Sequence, residues 1–125
     1  MSLLLDTHVL LWWLADDRGL PKSVRARIAD AETVVYVSAV SAWEIGIKKA
    51  LGKLSAPDDL VDQLRTGGFS ELPITIADGL RAGALPRHHD DPFDRMLVAQ
   101  AQRHGLTVVT RDPTFSSYGI AVLDA

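Results

Sequence analysis

Short apolar runs alternate with helical segments along this chain, and the runs are apolar at every position, not at every second one. Leu3-Leu4-Leu5, Val34-Val35-Tyr36-Val37, Thr107-Val108-Val109-Thr110 and Ile120-Ala121-Val122-Leu123 have this character, and 69–76 holds a further short strand broken by Pro73. A strand wetted on one face alternates polar and apolar residues. A continuously apolar strand needs cover on both faces, which is the pattern of a parallel sheet sandwiched by helices. Helices are predicted between the strands, at 8–15, 22–31, 39–51, 58–65 and 78–85, and from Asp91 to about Gly105. Pro21, Ser38, Gly52, Gly67-Gly68 and Gly105 supply the starts and stops. The chain therefore reads as a single α/β domain over residues 1–125. No internal repeat, linker or low-complexity stretch interrupts it.

With 125 residues, 47% of them hydrophobic and 23% charged, the chain can bury one core and is not of disordered composition. The absence of cysteine excludes a disulfide scaffold and thiolate metal sites, and fits a cytoplasmic protein. No Lys or Arg precedes Leu3-Leu4-Leu5, and Asp6 and His8 interrupt the apolar stretch, so no secretory signal is expected. No apolar run approaches the roughly 18 residues of a membrane span. Sixteen acids against 13 Lys and Arg give a net charge of -3, which argues against coating nucleic acid by charge alone.

Four carboxylates have unusual positions. Asp6 closes the first apolar run and Asp112 follows the fourth, so both fall at the carboxyl ends of strands, where parallel sheets bind ligands. Glu44 and Asp94 lie within apolar helical stripes. At 100° per residue Glu44 shares a face with Val40, Ile47 and Leu51, and Asp94 with Leu97, Val98 and Ala101. An ionised carboxylate on a buried face is costly unless a cation compensates it. Four such acids without thiols suit a hard divalent ion, Mg²⁺ or Mn²⁺. Each acid also has a simpler reading: Asp6, Asp91 and Asp112 can cap helices, and Ser41 and Glu44 have capping-box spacing. It is the set that points to a metal site. Setting the four aside leaves 13 basic against 12 acidic residues, so a nucleic-acid substrate stays compatible with the charge.

Around the four acids, Thr7 and Thr110 place hydroxyls beside two of them, and Arg95 and Arg111 adjoin two and could form phosphate forks. Asp91, three residues before Asp94, is a cap or an outer acid. His88-His89-Asp90-Asp91 invites a second metal site, but adjacent histidines do not easily share one ion. Trp12 and Trp13, 100° apart on one helix, can hardly both face one core, so at least one is expected to meet a partner.

Leu4-Leu5-Asp6-Thr7-His8, Val37-Ser38 with Ser41-Ala42-Trp43-Glu44-Ile45, Asp91-Pro92-Phe93-Asp94-Arg95 through Ala101, and Thr110-Arg111-Asp112 together resemble the PIN domain, and within it the VapC-type toxin ribonucleases of toxin–antitoxin systems. The resemblance spans essentially the whole chain. It implies a five-stranded parallel sheet of order 3-2-1-4-5. Asp6, Glu44, Asp94 and Asp112 stand at the family's catalytic, metal-binding positions, and Thr110 at its hydroxyl position. The resemblance further implies Mg²⁺- or Mn²⁺-dependent cleavage of RNA to 5′-phosphate and 3′-hydroxyl ends, a small antitoxin partner and a homodimer. Two alternatives remain at this point. One is a phosphoaspartyl phosphatase or receiver-like domain with Asp6 as phosphoacceptor, although His8 stands where the phosphatase has a second Asp and the last lysine is Lys53. The other is a catalytically silent PIN-like binding module.

Overall fold

A computed structural model describes residues 2–125. Five parallel strands form one sheet, β1 (Ser2–Leu5), β2 (Val34–Ser38), β3 (Ser70–Leu72), β4 (Thr107–Thr110) and β5 (Val122–Asp124), in the order β3-β2-β1-β4-β5. This is the topology the resemblance implies, with β1 at the centre. Because side chains alternate across a strand, Leu3 and Leu5 enter one core with Val35, Val37 and Val109, while Leu4 and Val108 enter the other. All three leucines of β1 are fully buried, which is why this strand is apolar throughout.

The first core is covered by α1 (Thr7–Leu14) and α2 (Lys22–Ala29), through Val9, Leu10, Val24 and Ile28. The second is covered by α6 (Pro92–His104), through Leu97, Val98 and Ala101, with Phe115 from a short 3-10 helix, Pro113–Tyr118. Leu97 and Val98 have no exposed surface, and burial of each contributes roughly 1.5–3 kcal/mol. Between them, α3 (Ala39–Ala50) sends Ile45 to the first core and Val40 to the second. α4 (Leu60–Thr66) and α5 (Ile76–Ala84) complete the set.

Helix boundaries follow local chemistry. α6 starts at Asp91, whose Oδ1 accepts the backbone N–H of Phe93 at 2.8 Å, with Pro92 at the first position; it ends at Gly105, at φ +64°. Ser38, not Ser41, caps α3. Three expectations shift. α4 begins at Leu60 and not at residue 58, because the Asp58 carboxylate is taken by Lys49 and does not cap it. α5 begins earlier than residue 78, at Ile76, because Thr75 and Asp78 form a capping box. In α3 the apolar stripe is core only over its first two turns: Val40 and Glu44 are buried, but Ile47 is 37% and Leu51 63% exposed, so the rest of the helix outruns its cover.

A buried polar network ties the second core to the sheet. The Ser38 hydroxyl donates to Gln100 Oε1 at 2.6 Å, and the Gln100 amide donates to the Pro73 carbonyl and the Asp78 carboxylate at 3.3 and 3.4 Å. Arg103 closes the network as an ion pair with fully buried Asp78. Among the described residues no helix is long and apolar enough to cross a membrane.

Candidate metal centre

The site is built where β1 and β4 end. Asp6 leaves β1 and caps α1, its Oδ1 accepting the backbone N–H of Val9 at 2.8 Å. Its Oδ2 accepts the Thr110 hydroxyl at 2.5 Å, and Thr110 is the last residue of the adjacent strand. The Thr110 oxygen in turn accepts the backbone N–H of Asp112 at 3.1 Å. Asp112 caps the 3-10 helix, its Oδ1 accepting the N–H of Thr114 at 2.9 Å. Capping and site-building are thus not alternatives: one carboxylate oxygen takes the helix N–H, which fixes where the other points. Asp94, in the first turn of α6, joins Asp6 and Asp112 on the wall of a cleft of about 300 Å³ with His8, Trp12 and Arg111.

Glu44 does not line that cleft. It is only 3% exposed, with both oxygens engaged, and its charge reaches Asp6 and Asp94. Oε1 accepts the Thr7 hydroxyl at 2.6 Å, with Ser41 Oγ 3.1 Å from the same threonine oxygen, and Oε2 is ion-paired with Lys48, one helical turn on. The structure therefore lines one cleft with Asp6, Asp94 and Asp112, and sets Glu44 against a lysine while its charge still acts on Asp6 and Asp94.

His89, which the sequence offered only as part of a second metal site with His88, instead joins this one. Its Nε2 lies 3.0 Å from Asp94 Oδ2 and 2.9 Å from Asp112 Oδ2. The three residues offer ligand atoms within 4.8 Å of one another. His88 turns away and stacks edge-on against Tyr118. The hydrogen bonding decides what His89 does in this pose. Nδ1 accepts the backbone N–H of Asp91 at 3.1 Å, so a neutral ring carries its proton on Nε2. A nitrogen that donates to the Asp112 carboxylate has no lone pair for a metal, and His89 here braces Asp112, with Asp94 Oδ2 beside it at 3.0 Å. The signal in the sequence was a histidine two residues before a helix-capping Asp.

The arginines divide. Arg95, a candidate phosphate fork by sequence, gives its guanidinium to the carbonyls of Ala82 and Leu85 at 2.9 Å each, Pro86 at 3.1 Å and His89 at 3.2 Å. It fastens the loop that carries His89. Arg111 stays at the cleft: it stacks 4.1 Å from the Trp12 ring centre and donates to the carbonyls of Gly19 and Ala125. Both adjacent tryptophans are half-buried and pack against the first core, contrary to the expectation that they could hardly share one; Trp12 lies under Arg111 and Trp13 packs edge-on against Phe69. The most exposed indole is Trp43, at 61%.

Electrostatically the cleft is short of positive charge. Asp94 is pushed up to about 7, first by burial and then by the charges of Asp91, Asp6 and Glu44, with His89 opposing. Burial also raises Asp6, against the hydrogen bonds from Thr110 and Val9. Burial acts on Asp112 in the same sense but is outweighed by hydrogen bonds from Thr114 and His89, so its carboxyl is held low. The bond to Glu44 raises Lys48 and keeps it cationic. An all-oxygen donor set whose central member resists ionisation fits a hard divalent cation.

Comparison with known proteins gives a consistent result. The model of the PIN domain family matches residues 3–121. Ribonuclease VapC22 of Mycobacterium tuberculosis is 33% identical over 125 residues, covering 94% of this chain and 92% of that protein. The fold is shared with a DNA-bound VapBC from Salmonella typhimurium, at TM-score 0.73 and 19% identity, covering 99% of this chain and 98% of that one. It is shared also with FitAcB from Neisseria gonorrhoeae, at TM-score 0.67 and 24% identity, covering 98% of this chain and 96% of that one.

Proposed function

The chain belongs to the PIN domain family, and from that premise we propose that it is a metal-dependent endoribonuclease, the toxin of a toxin–antitoxin pair. The observation that carries the reading is the presence of Asp6, Asp94 and Asp112 on one cleft, with buried Glu44 close enough for its charge to act on Asp6 and Asp94. These four carboxylates supply the charge of the site, and the three on the cleft wall would hold the ion. When bound, Mg²⁺ or Mn²⁺ would supply Lewis-acid charge against the scissile phosphate and acidify nearby water.

The chain's own residues account for the rest. Thr110 and the N-terminus of α1 fix the Asp6 carboxylate, and His89 and the Thr114 N–H fix that of Asp112. Arg111 at the cleft mouth draws the phosphodiester toward the acids. Exposed His8 beside it offers a ring on which an unstacked base can lie, which favours a single strand over a duplex. Water attacking in line with the leaving 3′-oxygen gives 5′-phosphate and 3′-hydroxyl ends. This chemistry makes no use of the 2′-hydroxyl; RNA as the substrate follows from the relative's name, Ribonuclease VapC22.

The partner reading rests on apolar surface. Ala42 of α3 and Leu60, Val61 and Leu64 of α4, with Phe69, line a groove of about 170 Å³ outside the cleft. We assign it to an antitoxin segment, since the structural neighbours include VapBC complexes. Ile76 and Leu80 of α5 are 84% and 72% exposed and offer a surface for a second copy of the chain.

The direct test is RNA cleavage by the purified chain with Mn²⁺ and with EDTA, with the product ends mapped. Metal-dependent cleavage leaving 5′-phosphates is expected. Failure to cut RNA when metal is present and any antitoxin has been removed would overturn the assignment.

A further inference from the structure

Glu44 is satisfied within the chain: a hydroxyl on one oxygen, an ammonium on the other, and almost no exposed surface. The cleft that the remaining three acids line does not include it. Lys48 is correspondingly placed. Its side chain is 32% exposed, and its ammonium lies 6.0 Å from the centre of the Phe93 ring, at the start of α6. Besides Glu44, it feels the charges of Asp91 and Asp94. These three acids belong to the site or its border.

Resting on the metal-dependent reading above, we propose that Lys48 is a built-in second cation, so that the site takes one divalent ion on Asp6, Asp94 and Asp112 where a four-carboxylate site without it would take two. A second ion close to Glu44 would have to displace the ammonium or sit against it, and like charges at such range repel strongly in a partly buried site. The lysine also does what a second ion would do. An ammonium has three N–H donors; among the described residues its one hydrogen bond goes to Glu44, and the other two can donate to a phosphate oxygen drawn against the ion. Charge of fixed stoichiometry then reaches the substrate without dependence on a second, weaker metal-binding step.

The test counts bound Mn²⁺ per chain by equilibrium titration with electron paramagnetic resonance, on the full chain free of any antitoxin. Wild type and Lys48→Arg should each bind one ion and give an isolated Mn²⁺ spectrum. Lys48→Met, and Lys48→Gln as a second neutral variant, should bind two and give the spectrum of a spin-coupled pair. Two ions in the wild type, or one in both neutral variants, would overturn the proposal while leaving metal-dependent cleavage standing. A wild-type chain that binds no Mn²⁺ and cuts no RNA would overturn the functional reading, and this one with it.

Discussion

Replacing Asp94 by Asn should make the metal-free protein more stable, by an amount that grows with pH. Asn keeps the shape of the side chain and removes the charge. In the wild type the unfolded carboxyl titrates near 3.8 and the folded one near 7. The folded state therefore holds its proton over a window in which the unfolded state has released it, and stability falls as pH rises through that window. The loss is about 1.4 kcal/mol per pH unit, or about 4 kcal/mol once pH is above 7, of which about 3 kcal/mol falls between pH 5 and pH 8. The Asp94 side chain is only 21% exposed, so solvent does little to screen this. The assay is thermal or urea unfolding in EDTA at pH 5, 6.5 and 8. The advantage of Asp94→Asn over wild type should widen by about 2–3 kcal/mol from the lowest to the highest pH, several degrees to about 10 °C in Tm for a domain of this size. Mn²⁺ at pH 8 should reverse the ranking, since only the wild type gains from binding it. An advantage independent of pH, or a loss of stability at pH 8, would refute the account of Asp94 as a carboxylate held against its neighbours.

Cleaved RNA should carry 5′-phosphates and EDTA should stop the reaction; 2′,3′-cyclic phosphates, or indifference to EDTA, would point to metal-free transesterification by His8, His88 or His89. Glu44→Gln should abolish cleavage in a folded chain, as judged by circular dichroism beside the RNA assay, because it removes the anion that positions Lys48. Arg95→Ala should cost about 2–3 kcal/mol in urea unfolding, because several partly buried carbonyls lose a charged donor, and should loosen the loop bearing His89, seen as faster amide exchange there. Val61→Arg in the α3–α4 groove should weaken antitoxin binding at least thirtyfold in a calorimetric titration, about 2 kcal/mol, with Mn²⁺ affinity unchanged.

The parts of this molecule legible in sequence are those where one local rule governs. Leu3-Leu4-Leu5 is buried on both faces and could only be an inner parallel strand; Asp6 ends it and so falls at the ligand edge. Asp94 was visible because Leu97, Val98 and Ala101 form its stripe, and all three are buried. The same rule applied to Glu44 was right at Val40 and failed at Ile47 and Leu51, since periodicity reports which residues share a face but not how far along the helix the cover extends. Lys48 stands at the i+4 position from Glu44, a spacing that forms helix ion pairs, and Lys49, one position on, turns to Asp58 instead; the pair was legible from spacing but its place beside the site was not. His89 was visible as a candidate but not its partners, because its pose depends on a loop held by Arg95 from the following helix. The choice between Trp12, Trp13 and Trp43 likewise depends on which neighbours cover them, a tertiary fact.

The hydrogen bond from Thr110 to Asp6 joins residues 104 positions apart. The first site residue to be synthesised therefore waits for almost the last. Central β1 cannot acquire its β4 neighbour, and Asp6 cannot acquire Thr110 or Asp112, until the C-terminal segment has left the ribosome. A chain that stops before α6 has only Asp6 and Glu44 of the four carboxylates and no cleft. Contacts of such long range also form slowly. For a nuclease this delay is a form of safety: the residues that line the groove between α3 and α4 are all made by Glu71, well before the last strand, so the partner surface is synthesised before there is anything to inhibit.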